Sequence, residues 1–186
     1  MAYAWRDAPQ GRWSVVHELN ACGTARSGLF VEGLGNFFLD DMFIYESEIV
    51  IPGAEAQAAL ARLLASNTPR RLHTPAYNMV SYAFSTRYQN SNQWVLETYA
   101  AASAPAGGIE TREEAQAWLR GAPFRPITVH IPMLTRLGGR MTKANVAFDD
   151  HPLDRRMAGK IDTVTVDAVV RFILERDHDA RTLVLN

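Results

Sequence analysis

The chain has 186 residues, 47% of them hydrophobic and 21% charged, with a formal net charge of -1. That length corresponds to about one domain and needs no covalent staples to hold a core. The charge balance gives no global electrostatic case for nucleic acid or an anionic membrane, and the single cysteine, Cys22, rules out an intrachain disulfide. No apolar run approaches the roughly 18 residues of a membrane span, and Met1–Asp7 lacks the basic and apolar regions of a signal peptide.

In chain order, Ala2–Trp5 and Arg12–Leu19 read as the two strands of a hairpin around the turn chemistry of Asp7–Gly11. Along the second strand Trp13, Val15, His17 and Leu19 share one face, which predicts a hydrogen-bonded, half-buried His17. Asn20–Gly28 is a polar loop carrying Cys22, which reads first as a small buried hydrophobe and second as a reactive thiol favoured by nearby Arg26 and His17. Leu29–Val31 reads as a short strand and Leu34–Met42 as a short helix. The Gly33-Leu-Gly35 pair lacks the third glycine of a dinucleotide loop, so no nucleotide cofactor is expected. Phe43–Ile51 alternates as a strand. Glu55–Ser66 carries Ala56, Ala59, Leu60, Leu63 and Leu64 at helical spacing and stops at Asn67 and Pro69.

Pro69–Tyr77 reads as an irregular crossing with local positive charge from Arg70, Arg71 and His73. Asn78–Phe84 fits either a strand or a packed loop. Ser91 onward is helical, and Asn90 with Gln93 at the third helical position has the pattern of a capping box. Ala100–Gly108 reads as a small-residue connector, and Thr111–Glu114 as a second capping box opening a helix that stops at Gly121. Ile127–Ile131 is a strand. Arg136–Lys143 is basic and glycine-rich without Walker spacing, and reads first as a flexible surface hairpin and second as a loop whose backbone amides cradle an anion. Ala144–Phe148 reads as a strand. Asp149-Asp150-His151-Pro152 is turn chemistry, and no second ligand cluster accompanies it, so no metal is expected. Val166, Val169, Val170, Ile173 and Leu174 form the buried stripe of a last helix, and Thr182–Leu185 reads as a terminal strand or a tail. The whole predicts one α+β domain over residues 1–186, mainly antiparallel sheet packed with about four helices.

The stretch with the most chemistry is Gln89–Gln93. Five amide and hydroxyl side chains sit there between Tyr88 and Trp94, and buried amides need partners. Helix capping accounts for Asn90 and Gln93. Ser91 is left at a helix start, where backbone N–H groups and the helix dipole favour negative charge on a nucleophile or an oxyanion. A serine there still needs a base.

Three segments carry a resemblance: His17-Glu-Leu-Asn-Ala-Cys-Gly23, Gly33–Asp41, and Arg87-Tyr-Gln-Asn-Ser-Asn-Gln-Trp-Val-Leu-Glu97. Together they resemble an uncharacterised bacterial family, domain of unknown function 2145, over nearly the whole chain. More distantly, the order of elements is similar to the circularly permuted papain-like amidohydrolases, where a histidine comes early and a cysteine later, at a helix start. That similarity implies a papain-like fold. It puts Ser91 in the cysteine's place. The Ser-His pair expected just before Ala2 is not in this chain, which reads as N-terminally short or as lacking that histidine. His17, His73 and His130 are the substitutes. The family also hints at an exported, periplasmic location.

Two functional readings follow, beside a purely structural one in which the amides stitch loops to a helix cap. In the first, the chain is a hydrolase or acyltransferase for amide or ester bonds, active or degenerate, with catalytic candidates Ser91, Cys22 and His17 and oxyanion donors among Asn90, Asn92 and Gln93. In the second it is a non-catalytic domain binding a small molecule, peptide or glycan through Tyr88, Asn90, Asn92, Gln93 and Trp94. A histidine nitrogen within hydrogen-bond reach of Ser91 or Cys22 separates them.

Overall fold

The structure is a computed structural model that describes residues 1–8, 11–39, 46–133, 135 and 143–185. Phe43–Tyr45 of the expected strand and Arg136–Thr142 of the basic loop lie outside the described residues. The protein is α+β, and among the described residues the strand pairs of three sheets are all antiparallel.

The first sheet is β1 (Ala2–Ala8), β2 (Gly11–Asn20) and β3 (Ser27–Gly33), with β2 in the middle. Its register sets Ala4 opposite Val15 and Val16 opposite Val31. Helix α1 (Leu34–Phe38) follows β3 directly, and its Phe37 ring meets His17 edge-on at 5.2 Å. The other face of the sheet meets α4 (Ser91–Ser103): Tyr3 donates its hydroxyl to the Val95 carbonyl at 2.7 Å, and its ring stands edge-on to Trp94. Covered on both sides, β2 is buried continuously from Ser14 to Glu18. Its alternation therefore separates two interiors rather than core from solvent.

Helix α4 is the centre of the molecule. Every residue from Gln93 to Ala101 is buried, so it has no solvent face along that length. Burial of Trp94, Val95 and Leu96 contributes about 1.5–3 kcal/mol for each large side chain. The expected connector at Ala100–Gly108 is corrected in its first part: Ala100–Ser103 is the last turn of α4, because small residues let neighbouring helices approach a helix closely, and Ala100 is fully buried. Around α4 lie α2 (Ala54–Leu64), α5 (Arg112–Gly121) and α7 (Val166–Arg176), which supply Leu60, Ala115, Leu119, Val169 and Phe172 to one core cluster. The capping box at Thr111 and Glu114 forms in full. The one at Asn90 forms by half: Asn90 accepts from the Gln93 N–H, while the Gln93 side chain bonds elsewhere.

Two short sheets complete the described fold. Strand β4 (Ser47–Ile51) pairs with β7 (Arg181–Leu185), and β5 (Ile127–His130) with β6 (Lys160–Thr163). Two short helices, α3 (Thr68–Arg71) and α6 (Leu153–Met157), link the larger elements. The expected strand at Ala144–Phe148 is irregular. Side-chain bonds replace a ladder there: Asn78 accepts from Ala147 N–H and donates to Ala147 C=O.

Candidate functional site

The start of α4 is brought to the sheet by a strip of extended backbone. Ser27 N–H donates to Pro75 C=O, and Tyr77 N–H to Ala25 C=O. Asn78 N–H donates to Gln89 C=O, and Gln89 N–H to Ala76 C=O. Through these bonds the beginning of β3, the segment 75–78 and the residue before the Asn90 cap lie side by side.

The amides of this region turn inward. Asn90 caps α4 and donates from Nδ2 toward Met79 C=O, Thr163 Oγ1 and Val164 C=O. Asn92 donates to Val164 C=O at 3.2 Å. Gln93 accepts from Ser81 Oγ at 2.8 Å and donates to the Tyr82 and Ala83 carbonyls. Trp94 is fully buried, with Nε1 on Pro69 C=O. Tyr88, half-buried, donates its hydroxyl to Asp149, which also pairs with Arg87. The polar atoms of Asn90, Gln93 and Trp94 are thus used inside the protein, whereas Ser91 and Asn92 keep part of their surface exposed.

The expected nucleophiles and bases separate. Ser91 lies near Tyr77, which is half-buried and whose own pKa is pushed up by burial. Cys22 is exposed on the loop between β2 and β3. His17 points to the α1 side of the sheet, against Phe37 and 2.6 Å from Glu32. His130 is exposed. Among the described residues, no histidine ring is hydrogen-bonded to Ser91 or Cys22.

A histidine does meet a serine elsewhere, on the α4 side of the sheet. His73 Nε2 lies 3.1 Å from Ser27 Oγ. Ser27 donates to Glu18 Oε1 at 2.6 Å, and that oxygen is 3.9 Å from His73 Nε2. Glu18 shares strand parity with Val16 and has no exposed side-chain surface. Its second oxygen, Oε2, is buried without a hydrogen-bond partner. Burial is the largest influence on its carboxyl, whose pKa is raised to about 7, opposed by the Ser27 bond and by Arg112. Desolvation and then Arg112 push His73 down, which keeps its ring neutral near pH 7. Tyr77 feels the Glu18 charge, which together with burial pushes its pKa up.

Behind the cluster lies a second polar centre. Glu97 is fully buried on α4 and binds Arg112 through both oxygens, at 2.8 and 3.2 Å. Gln89 and Gln116 donate to the same carboxylate. A third buried group, His151, is bonded at Nδ1 to Asp150 and packed on Tyr82, with Nε2 unpartnered. Two surface clefts lie away from Glu18. One, of about 480 Å³, is floored by Val170 and Leu174; the other, of about 420 Å³, lies between Tyr82, Phe84 and Arg120. Among the described residues no group of three or more His, Cys, Asp or Glu side chains is placed to hold a metal ion, and no helix is long and apolar enough to cross a membrane.

Glu18, Ser27 and His73 were not singled out together by sequence reasoning. The available signal was a carboxylate at the parity of Val16, on a strand face that turns out to be interior; such a group demands partners. The family model described as "Uncharacterized protein conserved in bacteria (DUF2145)" matches residues 1–173. No curated protein and no solved structure matches the chain.

Proposed function

The chain belongs to the DUF2145 family, and we propose that it is a hydrolase or acyltransferase for amide or ester bonds, with Ser27, His73 and Glu18 as its reacting groups. One observation carries this reading: Ser27 Oγ is hydrogen-bonded at once to an imidazole nitrogen and to a buried carboxyl whose pKa is about 7. A nucleophile, a base within hydrogen-bond reach and an orienting partner are the parts acyl transfer needs. A base poised near the working pH is the efficient choice.

In this reading Ser27 oxygen attacks the acyl carbon and its proton passes to ionised Glu18. As the bond to the leaving amine or alkoxide breaks, that group takes a proton back from the Glu18–His73 pair. Water then repeats the sequence on the Ser27 ester and releases the acid. His73, neutral, donates Nε2–H to Ser27 while Ser27 donates to Glu18, which fixes the ring tautomer. Helix geometry leaves the N–H groups of Ser91 and Asn92 without intrahelical acceptors, and they are suited to an oxyanion. The papain-like comparison would instead make Ser91 the nucleophile.

An acyl-reactive fluorophosphonate probe tests the reading on purified protein, with the labelled peptide identified by mass spectrometry. Labelling on Ser27, abolished in Ser27→Ala and reduced in His73→Gln, is expected. Labelling on Ser91 would transfer the attack to the start of α4. No labelling between about pH 6 and 9 would overturn acyl transfer. That result would favour a non-catalytic domain binding a peptide or glycan, a reading motivated by the lack of any histidine bonded to Ser91.

A further inference from the structure

The Glu97–Arg112 centre does more than fill the space behind α4. Arg112 reaches six acceptors through its five N–H groups, with Nη2 shared among three of them: the two oxygens of Glu97, and Thr74 Oγ1, Thr86 C=O, Ser85 C=O and Tyr88 C=O. Gln89 accepts from Thr74 N–H at 2.8 Å and donates to Leu72 C=O at 2.9 Å. Those two backbone groups flank His73 on either side. The amide of Gln89 also donates to Glu97 Oε2 at 2.7 Å. The turn Leu72-His73-Thr74 is therefore clamped by a unit rooted on one carboxylate of the central helix.

We propose that Arg112 is a positioning residue for the Glu18–Ser27–His73 centre, holding the His73 turn while Glu97 offsets its charge. The proposal rests on the acyl-transfer reading for its purpose, and on the clamp for its geometry. The groups acting on Glu18 are Ser27 on β3, Arg112 on α5, Glu97 on α4 and the α-amino group of Met1. His73 and Tyr77, from the segment before α4, face it as well. Arg112 favours ionised Glu18 and neutral His73; Glu97 opposes ionisation of Glu18. The one arginine thus serves two carboxylates, and removing Glu97's charge alone turns all of it toward Glu18.

The test reads the side-chain carboxyl of Glu18 by ¹³C NMR titration in the wild type, in Glu97→Gln and in the double variant Glu97→Gln/Arg112→Gln. The Glu97→Gln change is isosteric and removes the charge while leaving one of the two oxygens to accept from Arg112. It should lower the Glu18 midpoint by about half to one pH unit. The double variant should bring the midpoint back up past the single variant's value, and the His73 ring ¹⁵N signals should move with it. A merely structural role predicts neither the opposite directions nor their order. An unchanged Glu18 midpoint in Glu97→Gln, or displacement the same way in both variants, overturns the proposal; if the double variant does not fold, the sign in the single variant decides. The titration needs no activity. A wild type that resists the probe yet shows these displacements refutes acyl transfer while keeping the Arg112 assignment.

Discussion

Two carboxylates are buried inside this protein, Glu97 and Glu18, and their surroundings differ. Glu97 on α4 is fully buried, and its oxygens take bonds from Arg112, Gln89 and Gln116. Glu18 on β2 is also buried, but one oxygen holds only Ser27 and the other holds nothing. The first is how a fold keeps a charge in its interior, since the donors replace the lost water. The second leaves a carboxyl incompletely compensated beside an imidazole, an arrangement that structure alone gives no reason to retain. The difference teaches that burial by itself does not mark a functional carboxylate; the state of its lone pairs does.

The harshest way to break the comparison is to strip Glu97 of its cation. Arg112→Leu should destabilise the protein by about 3–5 kcal/mol, because it leaves an uncompensated buried carboxylate and frees four carbonyl or hydroxyl acceptors. Urea denaturation at neutral pH measures it. A loss below about 1 kcal/mol would mean that the pair is not the anchor described above.

The other carboxylate should make stability depend on pH. Glu18 has a folded pKa of about 7 against 4.5 for an unperturbed group. The native state therefore holds a proton that the unfolded chain has already released between those values. Its stabilising share is complete below about 4.5 and is lost as pH rises through about 7, a span worth about 3 kcal/mol. Glu18→Gln should remove this slope, so the variant gains on the wild type as pH increases. Chemical denaturation of both proteins at about pH 5 and pH 8 gives the comparison. Parallel stability curves would show that Glu18 titrates normally.

Much of the fold is legible in the sequence. The four long helices announce themselves by apolar spacing, two of them also by caps at Asn90 and Thr111. Strands β1, β2, β4 and β7 follow from alternation and turn residues. What escapes has physical causes. The strand Lys160–Thr163 is short, and its identity comes from pairing with Ile127–His130 far away in sequence. The Ala-rich end of α4 looks like a connector because small residues carry no periodic signal. In the site, Ser91 and the Asn90 cap are legible, being set by local helix chemistry. The meeting of Glu18, Ser27 and His73 is not, because it depends on the strip of backbone bonds that lays residues 75–78 beside β3.

The cap at α4 is a gentler probe of the same contrast. Asn90→Ala removes the bond to Gln93 N–H, and with it the Nδ2 contacts to Met79, Thr163 and Val164. A loss of about 1–2 kcal/mol is expected. It should appear as reduced thermal stability with the Glu18 titration unmoved, since no bond from Asn90 reaches that centre. A cap variant that shifts the Glu18 midpoint would join two regions that the comparison holds apart.

The smallest effect is the most informative about chemistry. Ser91→Ala should alter stability by no more than about 0.5 kcal/mol, because the residue is only partly buried. Ser27→Ala should cost more, about 1–3 kcal/mol, since it leaves the buried Glu18 without its one neutral donor. The order reverses if the start of α4 carries the attack: Ser91→Ala would then abolish probe labelling at almost no cost in stability, and Ser27→Ala would leave labelling in place. Stability and labelling measured on the same two variants therefore separate a serine that supports a carboxyl from a serine that reacts. Ser27 is expected to do both.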